Sequence, residues 1–282
     1  MTMSGAFAPT SMTHGVELTP ADFARVAQLM RAVAGIELRP GKEGLVRSRL
    51  SRRLRTLHLQ SVREYLDRVE RESGQELAHM VDALTTNKTE FFREHTHFEL
   101  LEQTVLPGLA RRGGPIRIWC AGCSTGEEPY SVAMSAHQSL GPAASRVRVL
   151  ATDISGRVLE TARRGIYGAT SLRSVPLELR RAFFDVVTDS TDESTYQVND
   201  RVRRLVRFAK LNLMATWPMR GHFDVIFCRN VMIYFSRQVQ QQLVDRFTER
   251  LSPGGILLLG HSESLTGIRH ALRYLQPAAY GT

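Results

Sequence analysis

Apolar residues recur along the chain in two different rhythms, and the change of rhythm divides it. Thr19-Pro20-Ala21-Asp22 reads as an N-cap followed by proline at the first helical position. Phe23, Val26, Ala27, Met30 and Val33 then recur at helical spacing until Gly35. A second helix is predicted from about residue 44. Its Val46, Leu50, Leu54 and Leu57 fall within an arc of roughly 80°, a stripe made for a core, and Arg47, Arg49, Arg52, Arg53 and Arg55 occupy the rest of the wheel. Further helices are expected over 62–72 and 76–84. These make an all-helical domain over 18–90, after a small and polar stretch, 1–17, that reads as a loose leader. A linker helix is expected over 91–114.

Beyond Arg112-Gly113-Gly114-Pro115 the period shortens. The runs 116–121, 147–152, 223–228 and 256–259 read as buried strands, and helical patterns over 127–140, 158–164 and 237–251 alternate with them. Strands alternating with helices predict an α/β domain over 115–282 with a parallel, doubly wound sheet. The polar span of about 172–207 interrupts the alternation and is expected to be an inserted antiparallel β-subdomain.

Composition narrows the classes. With 43% hydrophobic and 23% charged residues the 282-residue chain reads as an ordinary globular protein. No stretch approaches the ~18 apolar residues that would span a bilayer, and no secretory signal is visible at the start. The expected location is therefore the cytoplasm, where three cysteines need form no disulfide framework. Cys120 and Cys123 have C-x-x-C spacing but no second pair, so no metal site is expected. The formal charge of +9, from 37 basic against 28 acidic residues, calls for an anionic partner. Part of it sits over 39–55, where seven basic residues face one acidic residue, and the rest is spread over the α/β domain.

Candidate chemistry gathers at the carboxyl ends of the expected strands, where ligands of α/β sheets bind. The turn Gly122-Cys123-Ser124-Thr125-Gly126-Glu127-Glu128 is neither a dinucleotide fingerprint nor a P-loop. An acidic pair at a helix start repels phosphate, so this turn suits an amine or cation; glutamates that merely favour a helix N-terminus are the plain alternative. Asp153, ending the second strand, suits the ribose hydroxyls of an adenosine, or simply caps the next helix. An adenosyl group with an amine and no phosphates is S-adenosylmethionine. In Arg229-Asn230-Val231-Met232-Ile233-Tyr234 a polar residue and a tyrosine sit where a methyltransferase places its acceptor, without the prolines of base-methylating enzymes. Phe91, Phe92 and Arg93 offer an aromatic wall and a charge, or the Phe pair simply fills the junction between the two domains.

Five segments, taken in order, resemble the CheR family of chemotaxis receptor methyltransferases. They are Thr86-Asn87-Lys88-Thr89-Glu90-Phe91-Phe92-Arg93, Ser124-Thr125-Gly126-Glu127-Glu128-Pro129-Tyr130-Ser131, Ala151-Thr152-Asp153-Ile154, Phe227-Cys228-Arg229-Asn230-Val231-Met232-Ile233-Tyr234-Phe235 and Gly260-His261-Ser262-Glu263-Ser264. The resemblance covers nearly the whole chain from about Leu18. It implies a helical N-terminal domain, a Rossmann-like methyltransferase domain and a small β-subdomain. It also implies transfer of a methyl group from S-adenosylmethionine to receptor glutamates, with S-adenosylhomocysteine as product. By the same resemblance, Asn87, Thr89, Arg93, Glu128, Asp153, Asn212, Leu213, Asn230 and Val231 line the cofactor site, and Arg93 and Tyr234 lie nearest the transferred methyl group.

The implied partner is the cytoplasmic helical bundle of a methyl-accepting chemotaxis receptor, docked on Arg47, Arg49, Arg52, Arg53 and Arg55 of a monomeric enzyme. Some relatives also hold a receptor C-terminal pentapeptide on the β-subdomain through a glycine-bearing loop; here residues 188–195 are acidic and lack glycine. A nucleic-acid methyltransferase, whose arginines would track phosphates, and a non-catalytic S-adenosylmethionine sensor are the alternatives.

Overall fold

The computed structural model describes residues 17–72, 74–188 and 194–282. The expected leader, except for Glu17, and residues 189–193 of the acidic stretch lie outside them. The chain forms two compact units.

The first unit contains the described residues up to Leu29 together with Arg39–Leu84. Helix α1 (Pro20–Ala34) begins at Thr19, whose hydroxyl accepts the Asp22 N–H at 3.1 Å and donates to the Asp22 carboxylate at 2.7 Å. This reciprocal arrangement satisfies donors that a helix start leaves open. Helices α2 (Glu43–Leu57), α3 (Val62–Arg71) and α4 (Gln75–Leu84) follow. Val46, Leu50 and Leu54 of α2 are fully buried, as the stripe requires. Each such side chain contributes about 1.5–3 kcal/mol of burial.

The second unit contains Met30–Leu38 and Thr85–Thr282. Its entry helix is α5 (Thr96–Leu100), a π turn over Leu101–Val105, and α6 (Leu106–Arg112). The Leu106 N–H reaches back to the Leu101 carbonyl, and Pro107, with no N–H to donate, enforces this break in the ladder. The remaining helices are α7 (Glu127–Leu140), α8 (Gly156–Arg164), α9 (Leu177–Phe183), α10 (Asp200–Arg203) and α11 (Arg237–Arg250). The strands are β1 (Ile116–Ala121), β2 (Val147–Asp153), β3 (Ile166–Gly168), β4 (Phe184–Thr188), β5 (Thr195–Val198), β6 (Val206–Lys210), β7 (Phe223–Cys228), β8 (Leu251–Leu259), β9 (Arg273–Gln276) and β10 (Ala279–Gly281).

The main sheet has the order β6-β2-β1-β7-β8-β10-β9. Its first five strands run parallel, and β10 pairs antiparallel with both β8 and β9. Side chains alternate between faces, and both faces are covered. Ile118, Cys120, Val225, Phe227 and Leu258 enter one core cluster; Trp119, Ala121, Ile226, Cys228, Leu257 and Leu259 enter the other. That double burial is why these strands read as continuous apolar runs.

The inserted subdomain is a three-stranded antiparallel sheet of order β3-β5-β4. It begins at Ile166, ahead of the span expected from the sequence, and closes at Val198. Val206 and Arg207, included in that span, already belong to β6 at the edge of the main sheet. Among the described residues, no helix is long and apolar enough to cross a membrane.

Candidate active site

The loop after β1 is sewn to the end of β2. The N–H groups of Gly122 and Cys123 both donate to the Thr152 carbonyl, at 2.8 and 2.9 Å. Gly122 has φ +89°, and a Cβ there would stand 2.4 Å from Val231 Cγ2; only glycine lets the two loops approach this closely. Gly122→Ala should therefore lower the melting temperature, with about 1–3 kcal/mol lost to overpacking and strain, which calorimetry of folding checks.

Asp153 is held rigidly. Its Oδ2 accepts the Ser124 N–H and its Oδ1 the Ser155 N–H, each at 2.9 Å. The Ser124 hydroxyl donates to the Asn87 carbonyl at 2.9 Å, which brings the segment before Arg93 to this corner; Thr89 lies half-buried on that segment. On the other side the Leu211 N–H donates to the Asp153 carbonyl at 2.9 Å, placing Asn212 and Leu213 next in line. The Asn212 side chain is occupied, accepting the Met214 N–H at 2.9 Å and donating to the Val33 carbonyl at 2.6 Å. Leu213 is buried in the core cluster.

The loop after β7 is organised by Arg229, whose side chain is 2% exposed. Its guanidinium reaches Glu94 Oε2 at 3.0 Å and Glu128 Oε2 at 3.3 Å, donates to the Arg93 carbonyl, and lies 5.5 Å from the Phe98 ring centroid. Asn230 (φ +58°) donates its amide to Glu94 Oε1 at 3.2 Å. Glu263 clamps the loop from below, accepting the N–H groups of Gly260, Asn230 and Ile233 at 2.6, 2.8 and 3.1 Å. Arg93 stands between two non-glycine residues with positive φ, Phe92 (+54°) and Glu94 (+56°), a conformation that persists only where its surroundings impose it. The Arg93 side chain donates to the Lys88 carbonyl at 3.0 Å. Tyr234 ends the short turn Met232–Tyr234, half-buried, and its carbonyl accepts the Glu37 N–H at 2.8 Å. Among the described residues, Arg93 and Tyr234 share no hydrogen bond.

The protonation states follow from burial and from Arg229. Burial pushes the Glu128 carboxyl up to about 7 against the opposing pull of Arg229. Glu94 is raised by burial too, but the charge and hydrogen bonds of Arg229 prevail and hold it below the ordinary carboxylate range. Burial, reinforced by the Arg229 charge, takes His97 down to about 4, so the ring is neutral at pH 7. Donor atoms of Glu94, His97 and His261 lie within 4.8 Å of one another, yet the Arg229 guanidinium already occupies Glu94 and its charge opposes a cation there. Cys120, Cys123 and Cys228 are buried with raised thiol pKa values, the environment of an inert thiol.

In the first unit the expected docking arginines divide. Arg53 grips the buried Glu76 through two hydrogen bonds, of 2.7 and 2.5 Å, and Arg49 donates to the Leu84 carbonyl at 2.7 Å. Arg47, Arg52 and Arg55 are exposed. Arg49 and Arg53 each directly precede a buried leucine of the stripe, which turns them toward α4 rather than toward solvent.

The family model for the all-alpha domain of CheR methyltransferases matches residues 21–85, and that for their S-adenosylmethionine-binding domain matches residues 87–280. The chain belongs to the CheR methyltransferase family. It is 41% identical to chemotaxis protein methyltransferase 2 of Pseudomonas aeruginosa over 263 residues, 93% of each chain. It is 43% identical to the chemotaxis protein methyltransferase of Escherichia coli over 259 residues, 90% of this chain and 88% of that one. A probable chemotaxis protein methyltransferase of Rhizobium etli is 45% identical over 239 residues, 83% of this chain and 89% of the relative. This CheR methyltransferase is thus an S-adenosylmethionine-dependent enzyme of chemotaxis, as the sequence led us to expect.

The residues present fit that cofactor. Asp153 presents a carboxylate at the carboxyl end of β2 and Glu128 a largely buried one at the start of α7, a donor set whose chemistry suits hydroxyls and an amine, while Gly122 and Gly126 let the loop pack tightly against Val231, Ala162 and Tyr167. Arg229 and Glu263 received no role from the sequence, although both lie inside quoted segments. For Arg229 the available signal was a charged residue directly after a buried apolar strand, where no charge survives without partners; Glu263, four residues beyond β8, carried none.

A Glu128 carboxylate that held the cofactor amine would make cofactor affinity depend on pH. An amine cation requires the ionised carboxylate, so affinity for S-adenosylhomocysteine should then rise from pH ~6 to ~8, by up to tenfold per unit below the pKa. Isothermal titration should show this rise in the native CheR chain and a flat profile in Glu128→Gln; a flat profile in both would refute the assignment.

Proposed function

We propose that the protein transfers the methyl group of S-adenosylmethionine to glutamate side chains on the cytoplasmic helical bundle of chemoreceptors, forming glutamate methyl esters, and that it works in the cytoplasm as a monomer. One observation carries the choice of acceptor. Glu94 and Glu128, the carboxylates beside the acceptor loop, are both paired with Arg229, whereas the guanidinium of Arg93 donates to a single carbonyl among the described residues. Arginine has five donors in a fork that matches a carboxylate, so Arg93 retains capacity for an incoming anion.

The chemistry asks for little else. When bound, S-adenosylmethionine supplies an electrophilic methyl group on a sulfonium. A glutamate carboxylate, with a solution pKa of ~4.3, is already ionised at neutral pH and needs no general base. The protein's task is orientation and exclusion of water, which together can lower a barrier by ~7–11 kcal/mol. In this reading Arg93 aligns the carboxylate and Tyr234 fixes its other side through the hydroxyl. Asp153 takes ribose hydroxyls and Glu128 the amine, while Asn87, Thr89, Asn212, Leu213, Asn230 and Val231 complete the walls.

Docking falls to Arg47, Arg52 and Arg55. Reversing all three to glutamate should raise KM for a receptor fragment by about tenfold or more with kcat little changed, since exposed charges act mainly on encounter. Unchanged KM would remove α2 from the docking surface. A receptor C-terminal tail would add to the small sheet at its edge strand β4, where Val186 and Val187 are 62% and 50% exposed. Incubation with labelled S-adenosylmethionine and either receptor fragments or RNA tests the whole reading. Label is expected on the receptor; label on RNA, or cofactor binding with no label on either, would overturn it.

A further inference from the structure

Arginine occupies the second position of β1, β2 and β6: Arg117, Arg148 and Arg207, all exposed. The register sets Arg117 opposite Arg148, and Arg207 opposite Leu150. Residues 148 and 150 share a face because side chains alternate along a strand. The three arginines therefore leave the same face of three adjacent strands. Like charges set opposite one another across strands are destabilising, so this placement works against the fold.

Two further exposed arginines, Arg201 and Arg204, line the same cleft, whose volume is ≈ 630 Å³. Among the described residues none of the five takes part in an ion pair. Arg148 donates to the carbonyls of Ser145 and Val147, at 2.5 and 2.9 Å, and Arg207 to that of Val206 at 3.4 Å. Arg201 rests 5.7 Å from the Phe183 ring centroid. Asp224, on the neighbouring strand, spends Oδ2 on the Arg117 backbone N–H at 2.8 Å. The cleft lies at the amino ends of the strands, about 17 Å along β1 from Gly122. It is thus separate from the methyl-transfer site. Leu150, Leu205 and Phe223 give its wall an apolar part.

We propose that this cleft binds a phosphorylated nucleotide, with the phosphates on the arginine forks and the base on the apolar part of the wall. Guanidinium forks match phosphate oxygens two at a time. The volume lies in the ~300–1,000 Å³ range of small-molecule sites. A triphosphate concentrates several negative charges in that space, whereas an acidic peptide would have to crowd as many carboxylates into it.

Isothermal titration of the full chain with ATP, in saturating S-adenosylhomocysteine, tests this. The S-adenosylhomocysteine keeps the adenosine moiety from reporting on the methyl-donor site. Expected is one ATP per chain, bound more weakly as ionic strength rises, and at least about tenfold more weakly in the double variant Arg148→Glu, Arg207→Glu. S-adenosylhomocysteine affinity and methyl transfer should be unchanged in that variant, which also certifies its fold. The proposal is overturned if ATP, GTP and pyrophosphate all fail to bind. It is equally overturned if ATP binding survives the double variant or vanishes with S-adenosylhomocysteine present, or if polyglutamate binds in the cleft and ATP does not. The methyl-acceptor reading stands or falls separately, on transfer to receptor.

Discussion

Arg229→Met should destabilise the second unit by about 3–5 kcal/mol, the cost of leaving a buried charge without its partner. Removal of the guanidinium strips Glu94 and Glu128 of their shared cation and frees the Arg93 carbonyl. Lysine should not rescue the loss, because one ammonium cannot reproduce the planar fork that serves three acceptors. Adding Glu128→Gln to Arg229→Met should recover part of the stability, since the neutral amide no longer needs the cation; a double-mutant cycle in urea reads this coupling. Full additivity would mean that Arg229 and Glu128 act independently, against the geometry. The loss should extend to function, because the same guanidinium pins the backbone from which Arg93 projects.

Arg93→Ala should lower kcat by about 10²–10³-fold, the scale on which removal of one preorganised donor slows an enzyme. Affinity for S-adenosylhomocysteine should change far less. Among the described residues the side chain donates to the Lys88 carbonyl, and in the proposed reading the amine and ribose contacts belong to Glu128 and Asp153. Single-turnover kinetics with a receptor fragment, beside calorimetric titration of the cofactor product, separates the two quantities. Equal losses in both would make Arg93 a cofactor ligand only and remove the carboxylate clamp from the mechanism.

The sequence was most legible where burial is double-sided. The bounds of β1, α7 and β7 coincide with the apolar runs because all the strand residues there except Arg117 and Asp224 face one of two covered cores. Legibility failed where pairing, not burial, makes the strand. Arg273–Gln276 and Ala279–Gly281 are short, and the first is mostly exposed, so no apolar pattern announces the edge hairpin. β6 mixes Arg207 and Lys210 with apolar positions, and its first two residues fall in the span read as the insertion.

Division of the chain was only partly readable for a similar reason. Nothing local shows that Met30–Leu38 clusters with the second unit; long-range contacts to Asn212, Tyr234 and Phe235 do that. Within the site, the segments carrying Asn87, Arg93, Glu128, Asp153 and Asn230 are brought to one end of the sheet. That Arg93 and Glu128 depend on Arg229, and Asn230 on Glu263, was not spelled out by the sequence, because a charge network is a property of three-dimensional neighbours. The arginines of α2 illustrate the limit in reverse: five looked equivalent on a wheel, and α4 claims two of them.

The central claim is that the acceptor is a glutamate carboxylate, and the alkali stability of the product bears on it most directly. Receptor cytoplasmic fragment labelled from [methyl-³H]S-adenosylmethionine should release its label as volatile methanol under mild base, with the label mapping to glutamate side chains before treatment. Label that withstands base, or that maps to nitrogen, would contradict ester formation and with it the roles assigned to Arg93 and Tyr234.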